Sequence, residues 1–125
     1  MKFQNEFNYL CALRGATTSD HNSVESITSA VEELLYELVS RNNLVPDQII
    51  SVTFSVTSDL NACFPASVAR KKPGWDQIAL LDCQQMSVKG DLSKCIRLIA
   101  YVSLPNNQTP KNPYIGRAKN LRPDR

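Results

Sequence analysis

The stretch SVESITSAVEELLYELVSR, residues 23–41, decides the fold, because its apolar residues recur at steps of three and four. This spacing aligns them along one side of an α-helix and leaves Glu32, Glu33 and Glu37 toward solvent. A helix with one apolar side needs a second apolar surface to cover it. The apolar positions of the predicted helix are Val24, Ile27, Val31, Leu34, Leu35, Leu38 and Val39.

Both ends of this helix carry sequence signals. Asn22 is followed three residues later by Glu25, which predicts a capping box at the start. Val45-Pro46-Asp47 predicts the end, because proline cannot continue a helix. We therefore predict one long helix over about Ser23 to Arg41.

Four strands are predicted around the helix. Tyr9 to Leu13 indicates a strand that enters a turn at Arg14–Thr18, whereas Ile50 to Val56 alternates apolar and polar residues. Ile78 to Leu81 is apolar throughout and is predicted to be buried on both faces. Ile96 to Leu104 alternates again and forms the last strand.

These elements predict an α+β or α/β fold in which a mixed β-sheet packs on one long helix. The 125 residues form a single domain, residues 1–125. Residues 1–8 are expected to be a flexible extension, and residues 105–125 a mobile loop and tail. Because one helix covers only part of one sheet face, we expect the chain to complete its core by forming an oligomer.

Composition narrows the possible partners. The net charge is +2, and the tail from Lys111 onward concentrates basic residues, with Tyr114 as the one aromatic residue among them. This pattern favours a small anion or a solvated tail over nucleic acid. No apolar run approaches the roughly 20 residues of a membrane span, and no signal peptide precedes Tyr9. We expect a cytoplasmic protein with neither a membrane nor a nucleic-acid partner.

Several kinds of chemistry find no support in the sequence. The four cysteines lack the spacing of a metal knuckle and His21 is the single histidine, so no metal site is expected. No glycine-rich phosphate loop and no nucleophile elbow occurs, which argues against a nucleotide cofactor and a hydrolytic triad.

Two arginines are candidates for binding an anion. Arg97 lies within the last predicted strand and must point away from the side that carries Ile96 and Leu98. It could meet an anionic ligand, form a structural salt bridge, or lie on an exposed sheet face. Arg14 stands at the predicted end of the first strand, where ligand groups collect or where a turn simply exposes it.

Five blocks of sequence resemble the trimeric AroH-class chorismate mutases, in the family's order and close to its spacing. Together they run from Leu13 to Asp124. The blocks are Leu13–Thr18, Asp59–Ala66, Gly74-Trp75, Gln84 through Arg97, and Tyr114 with Ala118 and Leu121–Asp124.

This resemblance implies a trimeric pseudo-α/β-barrel with active sites between subunits. It implies rearrangement of chorismate to prephenate in aromatic amino acid biosynthesis, without a covalent intermediate or a cofactor. Arg97 would be the cation at the ether oxygen, Arg14 would grip the enolpyruvyl carboxylate, and Tyr114 would hydrogen-bond that carboxylate. Further substrate-binding positions implied by the resemblance are Phe64, Ala66, Ser67, Arg70, Leu81, Met86, Leu121 and Arg122.

Three positions depart from the family pattern. Gln85 stands where a glutamate is common, Ser67 where a lysine is common, and Asp82 where a cysteine lines the pocket. Our hypothesis is that Asp82 supplies the negative charge that Gln85 lacks, while Gln85 still hydrogen-bonds the substrate hydroxyl. The alternative is that Asp82 is a loop carboxylate and the site is impaired.

Two other functions remain open at this point. Gln85 and Ser67 favour a diverged trimer that binds another small carboxylate without this catalysis. A trimeric imine-deaminase-like protein also uses an interface arginine to bind a carboxylate, but the Arg97 block and the Leu121–Asp124 ending argue against it.

Overall fold

The computed structural model describes residues 8–121, and these residues form one four-stranded sheet with one long helix. The strands are β1 Asn8–Thr18, β2 Ile49–Val56, β3 Ala79–Gln84 and β4 Cys95–Pro105. The helices are α1 Val24–Asn42 and the short α2 Pro65–Ala69, with 3-10 turns at Pro46–Gln48, Trp75–Gln77 and Gly116–Asn120.

The sheet has the order β1-β4-β2-β3 and is mixed, as predicted. β4 runs antiparallel to both of its neighbours, and β2 and β3 are parallel. β4 is therefore a central strand, and Arg97 lies between Ala16 of β1 and Ser55 of β2.

The long helix lies within one residue of its predicted bounds at either end, but its cap differs. Ser23 is the N-cap, and its side chain accepts a hydrogen bond from the Ser26 backbone N–H at 3.1 Å. The predicted cap, Asn22, instead accepts hydrogen bonds from the backbone N–H groups of Asn61 and Ala62 at 3.0 and 3.1 Å. Asn22 thus ties the start of α1 to the loop before α2.

One face of the sheet packs against α1, and we call it the helix face. Leu13, Phe54 and Leu98 lie on it and are buried with Leu34 of the helix in one hydrophobic core. Alternation along β4 places the remaining buried members of this face at Ile96, Ala100, Val102 and Leu104. The predicted helix-to-sheet packing is confirmed.

The opposite face, which we call the open face, is only partly covered in a single chain. Leu10, Leu81 and Tyr101 are 65%, 58% and 42% exposed on it. Arg14 and Arg97 lie on the same face, because residues of one parity along paired strands share a face.

The structure corrects two predicted elements. Arg14–Thr18 is not a turn: β1 continues through it and pairs with β4 as far as Thr18 and Cys95. β3 is an edge strand paired with β2, and Leu81 is exposed, so the prediction of burial on both faces is wrong for the single chain. An apolar run identifies a strand but carries no information about how many neighbours pair with it.

The termini lie partly outside the described residues. Of the predicted N-terminal extension, residues 1–7 are outside them, and Asn8 already begins β1. Arg122 and the rest of the tail are outside as well. Neither helix within residues 8–121 combines the length and apolar character needed to cross a bilayer.

Candidate active site

Arg97 is anchored by the centre of the sheet and points from its open face. Its side chain is 38% exposed, and its Nη2 lies 3.3 Å from Oδ1 of Asp91. Its Nε is buried and has no hydrogen-bond partner among the described residues. Of the three alternatives left open by the sequence, the structure therefore combines a partly exposed sheet face with one carboxylate partner from a loop.

Three of the predicted site residues gather with Arg97 around a cavity of about 190 Å³. Arg14 comes from the middle of β1, and Tyr114 and Leu121 come from the segment after β4. Gly15 and Leu98 complete its wall. We call this the arginine cavity.

Backbone pairing brings Tyr114 into this cavity although it is 17 residues beyond Arg97 in the chain. Ala16 N–H donates to the Pro113 carbonyl and Ile115 N–H donates to the Ala16 carbonyl, each at 2.9 Å. This close approach requires a glycine at position 15, because a Cβ there would lie 2.9 Å from the Pro113 carbonyl oxygen.

The arginine cavity is chemically suited to a carboxylate. It holds two guanidinium groups and a phenol, all of which donate hydrogen bonds to carboxylate oxygens. Among residues 8–121, Asp91 is the one carboxylate within salt-bridge distance of either Arg14 or Arg97. Positive charge in the cavity is thus only partly neutralised.

A second group of predicted site residues lies around α2 and β3. Phe64 and Asp82 line a different cavity, of about 430 Å³, and Phe64 is 69% exposed. Ala66 is buried in the first turn of α2, and the Ser67 hydroxyl donates to the Phe64 carbonyl at 2.7 Å. Arg70 ends the helix and is exposed. We call this cavity the Phe64 cavity.

Asp82 has a structural partner in this group. Its Oδ1 accepts a hydrogen bond from the Ala66 backbone N–H at 2.9 Å, which satisfies a free donor at the start of α2. Burial raises the pKa of the Asp82 carboxyl, and the Ala66 N–H and the Arg70 charge oppose that rise in part.

The structure does not bring Asp82 to Arg97 or Gln85 within one chain. Asp82 pairs with Phe54 in the register of β2 and β3 and so lies on the helix face, opposite Arg97. Gln85 donates from Nε2 to Oδ2 of Asp91 at 2.6 Å, on the side of Arg97. The carboxylate that meets Gln85 within one chain is therefore Asp91. A role for Asp82 in place of the family's glutamate stays a hypothesis, and it requires that Asp82 reach the site from a neighbouring subunit.

Met86 follows Gln85, is 80% exposed, and lines with Gln85 and Asp91 a third cavity of about 170 Å³. The cavity-lining predicted residues thus divide among three cavities, with Phe64 and Asp82 in the Phe64 cavity, Gln85 and Met86 in the third, and the rest in the arginine cavity. Arg122 is outside the described residues, and no position is given for it.

Sequence reasoning missed two aspartates. Asp91 lies in a polar connection without periodicity, and its one signal is that it follows Gly90 and precedes Arg97 by six residues. Asp59 accepts hydrogen bonds from the Lys94 backbone N–H at 2.9 Å and from the Thr57 hydroxyl at 2.5 Å. Although burial alone would raise its pKa, the bonds from Thr57 and Lys94 lower it. Asp59 thereby fixes Lys94, which directly precedes β4 and stands three residues before Arg97.

Comparison with known proteins gives a consistent result. A family model described as chorismate mutase type I matches residues 10–125. Chorismate mutase AroH of Bacillus subtilis (strain 168) is 34% identical over 114 residues, which cover 90% of this chain and 89% of that protein. Chorismate mutase AroH of Thermus thermophilus is 35% identical over 117 residues, covering 90% and 93%.

A solved structure agrees with these relatives. A chorismate mutase from Clostridium thermocellum superposes with a TM-score of 0.79 at 40% identity, and the match covers 87% of this chain and 97% of that one. The similarity therefore extends over nearly the whole of both chains.

Proposed function

The chain belongs to the type I chorismate mutases, and we propose that its arginine cavity binds chorismate and converts it to prephenate in aromatic amino acid biosynthesis. The enzyme is an isomerase, since the substrate and the product contain the same atoms. The observation that carries the assignment of the site is the convergence of Arg14, Arg97 and Tyr114 on one cavity.

The reaction sets two tasks for the protein. The ether bond of chorismate breaks ahead of the new carbon–carbon bond, so negative charge grows on the ether oxygen and positive character grows on the ring. The protein must hold the substrate in a compact chair, which lowers the entropic part of the barrier. It must also place fixed charges where the new charge develops.

Arg97 performs the second task at the ether oxygen. Its position on a central strand holds the guanidinium in place, and its buried Nε is a donor without a partner among the described residues. A guanidinium can donate two hydrogen bonds at once, to the ether oxygen and to the side-chain carboxylate. Arg14 binds the same carboxylate from β1.

Tyr114 supplies a neutral hydrogen bond to that carboxylate. Tyr114→Phe is expected to raise KM several-fold and to leave kcat nearly unchanged, because the bond acts about equally on the bound substrate and the transition state. Steady-state kinetics with chorismate measure both constants. Tyr36→Phe is a matched control, since Tyr36 is 65% exposed on α1. A fall in kcat with unchanged KM would contradict this role.

In our proposal, residues on and around α2 and β3 complete the site from a neighbouring subunit. In a single chain, Phe64 and Asp82 line a cavity separate from that of Arg97. Phe64, Leu81 and Met86 are large apolar side chains left exposed, and an interface would cover them. Arg70 and Arg122 would bind the ring carboxylate at the mouth, where Ser67 replaces the common lysine.

The assembly that satisfies this arrangement is a homotrimer. Sedimentation of the purified protein at micromolar concentration is expected to give the mass of three 14.0 kDa chains. A stable monomer that turns over chorismate would contradict both the trimer and the shared site.

A cytoplasmic location is part of the proposal. All four cysteines are free, as is usual in reducing compartments.

The direct test follows chorismate absorbance and prephenate formation with the purified protein. Loss of chorismate with stoichiometric prephenate supports the assignment. Binding of chorismate without turnover would favour instead a diverged carboxylate-binding trimer, for which Gln85 and Ser67 are the relevant departures.

A further inference from the structure

A chain of hydrogen bonds links Gln85, Asp91 and Arg97. Gln85 Nε2 donates to Asp91 Oδ2 at 2.6 Å, and Arg97 Nη2 donates to Asp91 Oδ1 at 3.3 Å. Asp91 Oδ1 also accepts a hydrogen bond from the Leu92 backbone N–H at 2.8 Å, so the loop's own backbone helps to hold the carboxylate. Asp91 is the group that joins the glutamine to the arginine.

The Asp91 carboxylate determines the orientation of the Gln85 side-chain amide. An ionised carboxylate only accepts hydrogen bonds, so the group facing it must be the NH2 of the amide. The carbonyl oxygen, Oε1, is therefore turned away from Asp91. It is buried and finds no donor among residues 8–121.

One buried acceptor and one buried donor in this chain of hydrogen bonds have no partner. Within the described part of the chain, the buried side-chain atoms without a partner are Gln85 Oε1, an acceptor, and Arg97 Nε, a donor. A buried donor or acceptor without a partner is destabilising, so a ligand that donates to Gln85 Oε1 and accepts from Arg97 Nε gains binding energy at both atoms. Chorismate carries both, as a hydroxyl and as ether and carboxylate oxygens.

A glutamine held in this way resembles a glutamate in what it offers to a ligand. The bond from Nε2 to a carboxylate polarises the amide and increases the negative charge on Oε1, by cooperativity of about 10–30% per bond. The full negative charge lies one hydrogen bond further back, on Asp91. The pair therefore presents an acceptor oxygen with an anion behind it.

We propose that Asp91 is a positioning residue that orients and polarises Gln85, so that the two together perform the task of the glutamate common at position 85 in the family. Gln85 Oε1 accepts the hydrogen bond from the substrate hydroxyl, and the Asp91 charge offsets the positive character that develops on the ring. This inference rests on the proposed function, and it places the missing charge at position 91 instead of position 82.

The test exchanges the amide and the carboxylate between the two positions. Asp91→Asn removes the anion and frees the Gln85 amide to rotate, and it is expected to lower kcat about 10- to 100-fold, less than loss of a direct oxyanion donor. Gln85→Glu places two carboxylates in contact, and their repulsion is expected to lower kcat/KM by a similar factor. The double variant restores one amide and one carboxylate, and is expected to be within about 3-fold of the wild type.

A matched pair outside the site provides the control. Gln77 donates from Nε2 to Asp76 Oδ2 at 3.4 Å, and both side chains are exposed. Asp76→Asn, Gln77→Glu and their double variant make the same chemical exchange and are expected to leave kcat and KM unchanged. Thermal unfolding of every variant separates a loss of folded protein from a loss of turnover.

The outcomes separate this inference from the function on which it rests. The role of Asp91 is overturned if the wild type turns over chorismate and Asp91→Asn has the same kinetic constants. It is also overturned if the double variant is no more active than the worse single variant. Either result leaves the chorismate mutase assignment standing. A folded wild type that does not consume chorismate overturns both. If Asp91→Asn does not fold, the double variant, which keeps every hydrogen-bonding group, decides alone: recovery supports the pair, and failure while folded overturns it.

Discussion

Arg97→Lys is expected to lower kcat/KM by at least about 100-fold, the range found when a donor to a developing negative charge is removed. Because lysine keeps the positive charge, the loss of kcat/KM reports the geometry of the guanidinium and not its charge. An ammonium is a point charge on a flexible stem and cannot span the ether oxygen and a carboxylate oxygen as a guanidinium does. Lysine also places a methylene, which donates no hydrogen bond, at the position of the buried Nε.

The control for this substitution is Arg41→Lys on α1. Arg41 is 40% exposed and forms a salt bridge with Glu37 at 2.7 Å, far from the proposed chemistry. Arg41→Lys is expected to change neither the kinetic constants nor the stability measurably, as is usual for an exposed ion pair. Should Arg97→Lys retain turnover within a few-fold of the wild type, the arginine cavity would not be the site of the reaction.

The parts of the fold that the sequence predicts correctly are those governed by local periodicity. The apolar spacing of residues 23–41 determines one side of α1, and the alternation from Ile96 to Leu104 determines which side of β4 is buried. The second pattern also placed Arg97 on the opposite face. Both inferences require only the geometry of a helix or a strand.

The errors concern contacts between distant residues. Arg14–Thr18 contains a glycine and two threonines and was predicted to turn, yet pairing with β4 extends β1 through it. The apolar run at Ile78–Leu81 predicted a buried strand, yet β3 lies at the edge of the sheet. Pairing partners lie tens of residues away in the chain, so local periodicity does not specify them.

The site residues, too, divide into those that the sequence identifies and those that depend on contacts between distant residues. Resemblance identified Arg14, Arg97 and Tyr114, which the structure brings to one cavity. The sequence offers Asp82, three residues from Gln85, as a replacement carboxylate, and it gives no sign that the return of a loop brings Asp91 to Gln85 within one chain. Asp82 lies on the helix face of β3 and Gln85 follows the end of that strand, so their short separation in the sequence does not determine their separation in space.

Asn42→Ala is expected to lower the free energy of unfolding by about 3 kcal/mol, the largest stability effect that we predict for a polar residue. Asn42 is fully buried at the end of α1, and its Nδ2 donates to the carbonyls of Leu38 and Lys111 at 2.9 and 2.8 Å. Its Oδ1 accepts from the Lys111 N–H at 2.8 Å. Alanine would leave both backbone groups of Lys111 without these partners inside the protein.

This substitution also tests how the helix supports the site. The Lys111 segment leads directly into Asn112, which accepts from the Arg14 N–H at 2.8 Å, and then into Tyr114. Asn42→Ala loosens this segment and should therefore raise KM for chorismate, measured at a temperature where the variant is fully folded. The change in kcat should be smaller, because kcat depends on Arg97 in the centre of the sheet. Chemical denaturation and steady-state kinetics measure the two effects. Asn107→Ala, an exposed asparagine in the same loop, is expected to stay within about 0.5 kcal/mol of the wild type. Equal unfolding midpoints for the two variants would show that the buried amide does not hold this segment, and that the position of Tyr114 depends on its pairing with β1 alone.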